Sequence, residues 1–406
     1  METFKSLRHR NFRLFFFGQI ISLPGNWIQN IAMGWLVFRL TDSALLLGVV
    51  GFAAQIPSFF ITPVAGVFAD KTERRSVLIM TQAVSMIIAL LLAYLVLTDR
   101  ITVMIIIIGA VINGIANAID NPYRHAFLVN MIDDRKDLPN AIALNSTMYN
   151  SARFIGPPIG GFLVAYAGEG VCFLVNGLSY IAVIASLLAM NIPRIVKSLE
   201  HNSVLSDLLG GFKYAYETKH LQILIIMVII VSFIGLPFQV FMPVFAKDIL
   251  GGDSKTLGIL TGALGAGALT GALLLANQSS ISRFPSVILT SALMFSIGLG
   301  VFTLSETLYL SMIAMVVTGF GMVVLFASCN TLLQTMVNEN MRGRIVALYS
   351  MSFMGFTPIG SILLGSITEF TSLQSTLVVT SLLCLLVALW YYKNINHIKK
   401  ALVLNQ

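Results

Sequence analysis

Charge is scarce in this 406-residue sequence. Asp, Glu, Lys and Arg make up 11 % of it and apolar residues 57 %, and the mean hydropathy is +0.87. A soluble domain is about a quarter charged, so that class is excluded. Cysteine is scarcer still. Cys172, Cys329 and Cys384 stand far apart in apolar runs. That spacing excludes a thiolate metal cluster or a redox pair and leaves small packing residues. The sequence has no H-E-x-x-H, no G-x-S-x-G, no Walker motif and no pair of aspartates inside an apolar run. These gaps argue against a membrane enzyme and against ATP as a fuel handled by this chain alone. No metal and no cofactor is implied. Met1–Arg13 is basic, but a long apolar span follows without a small-residue cleavage site, so no cleavable signal is expected.

Long uncharged runs are what the sequence has in quantity, such as Ser76–Thr98, Ile101–Ala118, Val171–Asn191 and Leu221–Ala246. Roughly 20 residues of helix cross a ~30 Å hydrocarbon core. Backbone in lipid must satisfy its own hydrogen bonds, so such runs are helical. Breaks in hydropathy predict twelve spans: 13–38, 44–69, 76–98, 101–123, 140–166, 171–191, 221–246, 256–276, 285–304, 308–334, 344–368 and 373–392. The fold class is an all-α membrane protein. Its expected domains are a six-helix half at 1–191, a linker at 192–220 and a second six-helix half at 221–406. Within the linker, Leu205, Leu208, Leu209, Phe212 and Tyr216 share one helical face, the pattern of a helix lying on the membrane surface.

The basic residues orient the spans. One side collects Lys5, Arg8, Arg10 and Arg13, then Lys71, Arg74 and Arg75, then Arg124, Arg135 and Lys136. It also holds Arg194, Lys197, Lys213, Lys219, Arg283, Arg342, Arg344, Lys393, Lys399 and Lys400, twenty in all. The other side has four: Arg39, Arg100, Lys247 and Lys255. Both termini are therefore expected in the cytoplasm, with the chain in a cytoplasmic (inner) membrane. The net charge of +7 reports this orientation. Spread over short segments, it gives no reason to expect nucleic acid as a partner.

Two sequence features go further. "PPIGGFLVA" at 157–165 matches "TPIGSILLG" at 357–365, each in the fifth span of its half. Such paired halves, with a site at the midplane, are a transporter architecture. Against the dearth of charge, Gly66-x-x-x-Asp70-Lys71-x-x-Arg74-Arg75 gathers charge between spans 2 and 3. This resembles the signature loop of the major facilitator superfamily. The resemblance covers the whole chain: twelve spans, paired halves and a central linker. Residues 11–48 resemble the opening of the bacterial branch that holds enterobactin-type siderophore exporters and related drug exporters.

The resemblance implies a latch holding the two halves together in the outward-facing state. Gly66 would let two helices approach. Asp70 would accept N–H groups at the start of span 11, near Arg342–Arg344, where a helix dipole favours an anion. Arg74 would pair with Asp120. The alternative for Lys71, Arg74 and Arg75 is ordinary cytoplasmic positive charge. The equivalent loop of the second half has Asn277 and no aspartate, and Asn330 stands where a counterpart of Asp120 would fall.

"SARFIGPPIGGFLVAYAG" at 151–168 resembles the family's antiporter motif through Gly156, Pro157, Gly160 and Gly161. It implies export; the alternative is a helix-packing patch of small residues. Family members line a central cavity with spans 1, 4, 7 and 10. That points to Gln19, Asn26 and Gln29, to Asn113 and Asn117, and to Gln239, Met322 and Phe326. Polar residues in a span face protein or water, so helix packing remains the alternative for each. Adaptable apolar walls would suit a small amphipathic substrate.

Arg153 lies about 13 residues, ~20 Å, into span 5. A charge there costs roughly 2.5–3.5 kcal/mol on insertion scales. Its compensation would be an anionic group on the substrate, or structural partners such as helix carbonyls, Asn26 and Gln29. Acids fall mostly at span ends, so proton coupling is what the family implies more than what these residues show. The expected function is a secondary transporter, not an enzyme, exporting a siderophore or drug by alternating access as a monomer. The alternatives are a lysophospholipid flippase of the same fold and, less compatible with paired halves, a channel.

Overall fold

The computed structural model describes residues 4–69, 71–192, 204–278 and 280–404, with backbone alone at 204–209 and 403–404. Among them all regular structure is helical. The main elements are α1 (Arg10–Thr41), α2 (Ala44–Phe68), α3 (Arg74–Leu97), α4 (Val103–Asn130), α5 (Leu138–Ala189), α6 (Val204–Glu217) and α7 (Lys219–Ile230). They continue with α8 (Met242–Val244), α9 (Ser254–Ala276), α10 (Phe284–Leu304), α11 (Leu308–Thr335), α12 (Glu339–Ile367) and α13 (Leu373–Leu404).

Among the described residues, ten stretches are long and apolar enough to cross a membrane. The twelve-span reading accounts for the difference. α5, at 52 residues, is ~78 Å long, more than twice a hydrocarbon core. It breaks at Gly168, whose φ of 82° and ψ of 168° leave the helical region, so it contains spans 5 and 6. α1 falls outside the ten. It carries Arg10, Arg13 and Arg39 near its ends and a row of Gln and Asn between them. The sequence also foresees no irregularity in span 7. There the chain runs from α7 through a π-helical turn at Val231–Gly235, a 3-10 turn at Leu236–Phe241, α8 and a second π turn at Phe245–Ile249. Pro237 and Pro243 lack the N–H that an α-helix needs, which breaks the regular ladder.

The chain divides into two compact units. Unit 1 is Met1–Asp42, Ala53–His201 and Asp253–Gly258; unit 2 is Ser43–Phe52, Asn202–Gly252 and Ile259–Gln406. In unit 1, α1 lies against both parts of α5. A Cβ at Gly18 or Gly25 would strike Ser186 or Asn176, and one at Gly160 would sit 3.0 Å from Ile28 Cα. Small residues set this approach, as expected where packing rather than water exclusion joins helices. Phe12, Phe15, Leu78, Tyr123, Phe127 and Met131 form its core at the end bearing the basic loops. Pro122 in α4 leaves the Ala118 carbonyl without its helical donor, and Thr62 Oγ1 supplies one at 3.2 Å.

Unit 2 packs α11 against α9 and α10 by the same device, at Gly319 on Leu264 and Gly298 on Thr318. Phe245 stacks on Phe302 with centroids 4.1 Å apart. Within this unit α6 rests on the start of α12. A Cβ at Gly210 would lie 2.8 Å from an Arg344 guanidinium nitrogen. Phe212 and Tyr216 are exposed on α6. The side chains of Leu205, Leu208 and Leu209, expected to share their face, lie outside the described residues.

Candidate functional site

The polar residues of unit 1 sort into three groups. The first centres on Asp120 in α4, which is 2 % exposed. Its Oδ1 accepts from Thr81 Oγ1 at 2.9 Å and from Gln82 Nε2 at 2.8 Å. Its Oδ2 lies 3.3 Å from Arg124 Nη2, one helical turn along. Arg124 also donates to Asn121 Oδ1 at 2.6 Å and stacks 5.0 Å from the Tyr149 ring centroid. A space of about 10 Å³, room for one water, adjoins Gln19, Gln82, Asp120 and Arg124. Charge is admitted here because both Asp120 oxygens and Arg124 Nη2 have polar partners.

The expected Arg74–Asp120 pair is corrected by this geometry. Arg74 donates to the Ala69 carbonyl at 2.8 Å, the Ala126 carbonyl at 3.0 Å and Asn130 Oδ1 at 2.6 Å. Asn130 lies ten residues beyond Asp120 on α4, ~15 Å away, out of reach. Gly66 is also corrected. Among the described residues a Cβ there would meet no atom within 4 Å, so it makes no close helix contact with them. Lys71 is exposed. Asp70 lies outside the described residues.

The second group joins α1 to the later part of α5. Asn176 Nδ2 donates to Gln29 Oε1 at 2.8 Å, Tyr180 donates to Asn26 Oδ1 at 2.7 Å, and Ser179 donates to Ser22 Oγ at 3.2 Å. Asn26 and Gln29 thus hydrogen-bond α1 to α5. Asn113 keeps its Oδ1 buried without a hydrogen-bond partner among the described residues, and Asn117 is exposed.

The third group is Arg153 and Trp27. The guanidinium carbon sits 5.7 Å from the Trp27 ring centroid. Among the described residues Arg153 has no hydrogen-bond acceptor and no acid within ion-pair distance. Asn26 and Gln29, expected as structural partners, are engaged elsewhere. Gly156, one turn on, makes room for Trp27: a Cβ there would lie 3.1 Å from the Pro24 carbonyl and collide with Trp27 Cβ. Gly160 packs on Ile28. Gly161 and the Pro157 carbonyl face Gly258, whose Cα would be 2.8 Å from a Gly161 Cβ. In unit 2, Gln239 Nε2 donates to Met322 Sδ at 3.5 Å, and Phe326 meets Phe353 edge-on at 4.8 Å.

Sequence reasoning missed several members. Arg124 was legible as the i,i+4 partner of Asp120. Thr81 and Gln82 form a polar pair in an apolar span, a signal that would have found them. A cluster at the base of α1 was not legible. His9, 7 % exposed, places Nδ1 3.2 Å from Asp133 and Nε2 3.1 Å from Asp137, across more than 120 residues of chain.

Comparison with known proteins follows from this fold. A family model described as "Transmembrane secretion effector" matches residues 1–402. The staphyloferrin A transporter of Staphylococcus aureus is 24 % identical over 384 residues, covering 94 % of this chain and 95 % of that protein. The multidrug efflux pump Tap of Mycolicibacterium fortuitum is 24 % identical over 385 residues, covering 92 % and 93 %. The crystal structure of the nucleoside transporter NupG superposes with a TM-score of 0.74 at 15 % identity, covering 94 % of this chain and 98 % of that one; it speaks to the fold alone.

Proposed function

The chain belongs to the major facilitator superfamily, and on that premise we propose that it exports a small amphipathic molecule, a siderophore or a drug, by alternating access. The observation that carries this reading is the match, over more than nine-tenths of the chain, to a staphyloferrin A transporter and a multidrug efflux pump. The polar groups of unit 1 support it, because charge in a membrane span marks a path for solutes or ions. Coupling is to protons, as the family resemblance implies. Two six-helix halves, 1–191 and 221–406, flank the linker in a monomer. The twenty-to-four bias of basic residues supports cytoplasmic termini in the inner membrane.

The test is accumulation in cells expressing the chain, against a siderophore, cationic dyes and a lysophospholipid, with and without a protonophore. Lower accumulation of siderophore or dye, abolished by the protonophore, is the expected result. Equal accumulation in expressing and empty cells for every probe overturns the exporter reading. Movement of the lysophospholipid alone replaces it with lipid flipping.

A further inference from the structure

Arg153 stands fifteen residues from Leu138 and fifteen from the break at Gly168, ~22 Å from either end of that helical segment. Trp27 lies in the middle turns of α1. The contact is therefore at mid-depth. At 3.6 residues per turn, Arg153 shares a side of α5 with Tyr149, Gly156 and Gly160, the last two packed on α1. Phe154, Ile155, Ile159 and Phe162, all exposed and apolar, cover the other side. The arginine is thus turned away from the lipid-compatible face.

Its counter-charge is missing from the described residues. Asp120 is engaged by Arg124, Thr81 and Gln82. Glu169 is engaged by Arg39, with Nε–Oε1 at 2.7 Å. Lipid phosphates sit beyond the edge of the ~30 Å core, too far from its middle. A guanidinium held over a ring keeps its in-plane N–H donors free, in the fork that fits a carboxylate. Phenols and catechols are neutral near pH 7, whereas carboxyl groups are ionised. Trp27 adds an apolar ring beside the charge.

We infer that Arg153, seated on Trp27, is the recognition site for a carboxylate carried by the amphipathic solute this protein moves. The inference rests on the transport reading above and adds the charge class of the substrate. Gly156 acts as a positioning residue, because it gives Trp27 its seat.

The test uses the full-length purified chain with Trp35→Phe and Trp390→Phe, leaving Trp27 as its only tryptophan of the original three. The probe is 3-phenylpropionate against its methyl ester. A saturable change of Trp27 fluorescence is expected with the acid, at least tenfold weaker with the ester. Arg153→Gln should weaken the acid response tenfold or more and leave the ester response within twofold. Arg153→Lys keeps the charge without the fork and should fall between. Equal responses to acid and ester, an equal response to sodium chloride at the same ionic strength, or an unchanged response in Arg153→Gln overturns the site. Export of the same two probes from cells separates the two readings. Arg153-dependent binding without export sinks the transport reading and keeps the site. Export of both probes, unaffected by Arg153→Gln, does the reverse.

Discussion

Arg124 and Arg153 are two buried-span cations of one unit with opposite surroundings. Arg124 has a carboxylate, an amide oxygen and an aromatic face. Among the described residues Arg153 has only an aromatic face. The paired charge is part of the scaffold: its removal strands Asp120, which also organises Thr81 and Gln82. On our proposal the under-partnered charge is not needed by the scaffold and is the one that binds. If that holds, the partners of a charge, rather than its position in the sequence, separate structural from functional roles.

The sharpest way to break this comparison is to remove each arginine and measure stability. Arg124→Gln leaves a buried carboxylate uncompensated and should destabilise unit 1 by about 3–5 kcal/mol. Asp120→Asn should cost a similar amount by stranding the cation. The double change to Leu at both positions should cost less than either single one, because neither charge is then orphaned. Arg153→Gln should leave thermal unfolding in detergent almost unmoved. If Arg153→Gln unfolds the protein as readily as Arg124→Gln, the division into scaffold and site fails.

A second test acts through glycine. Gly156→Ala forces a Cβ into Trp27, an overpacking that costs about 1–3 kcal/mol and moves the ring under Arg153. Gly66→Ala places its Cβ in open space, and helix propensity alone should stabilise by about 0.5–1 kcal/mol. Melting temperatures of the two variants check the pair. Loss of stability in Gly66→Ala would restore the close helix approach that the signature loop resembles.

Much of this contrast was legible in the sequence, and the limit is physical. The spans follow from hydropathy because lipid permits little else than helix. Only the helix ends and the π turns of span 7 depended on local backbone chemistry at Pro237 and Pro243. Arg153 stood out at once as a charge in an apolar run. What could not be read was who meets whom. Trp27 faces Arg153, and Asn176 faces Gln29, across more than a hundred residues of sequence. Arg74 was assigned to Asp120 by a family pattern, yet here it is drawn to carbonyls at the end of α2 and on α4. Spacing fixes partners within a helix, as for Asp120 and Arg124; between helices it does not.

Depth sets the last and smallest expected effect. Arg39 and Glu169 form a two-contact pair, Nε–Oε1 at 2.7 Å and Nη2–Oε2 at 3.4 Å, near the break in α5. Its geometry is better than that of Asp120 and Arg124, but the Arg39 side chain is 51 % exposed. Water already solvates the Arg39 end of the pair, whereas the Glu169 side chain is 9 % exposed, so the pair adds about 1 kcal/mol, less than one buried at both ends. Arg39→Gln should therefore lower the unfolding midpoint slightly, and the difference should shrink as salt rises, since exposed charges are screened beyond a Debye length of about 10 Å at 0.1 M. The cost of Arg124→Gln should hold steady across the same salt series, because its partners are buried. Parallel salt dependence in the two variants would mean that water reaches Asp120, and that burial does not distinguish the two pairs.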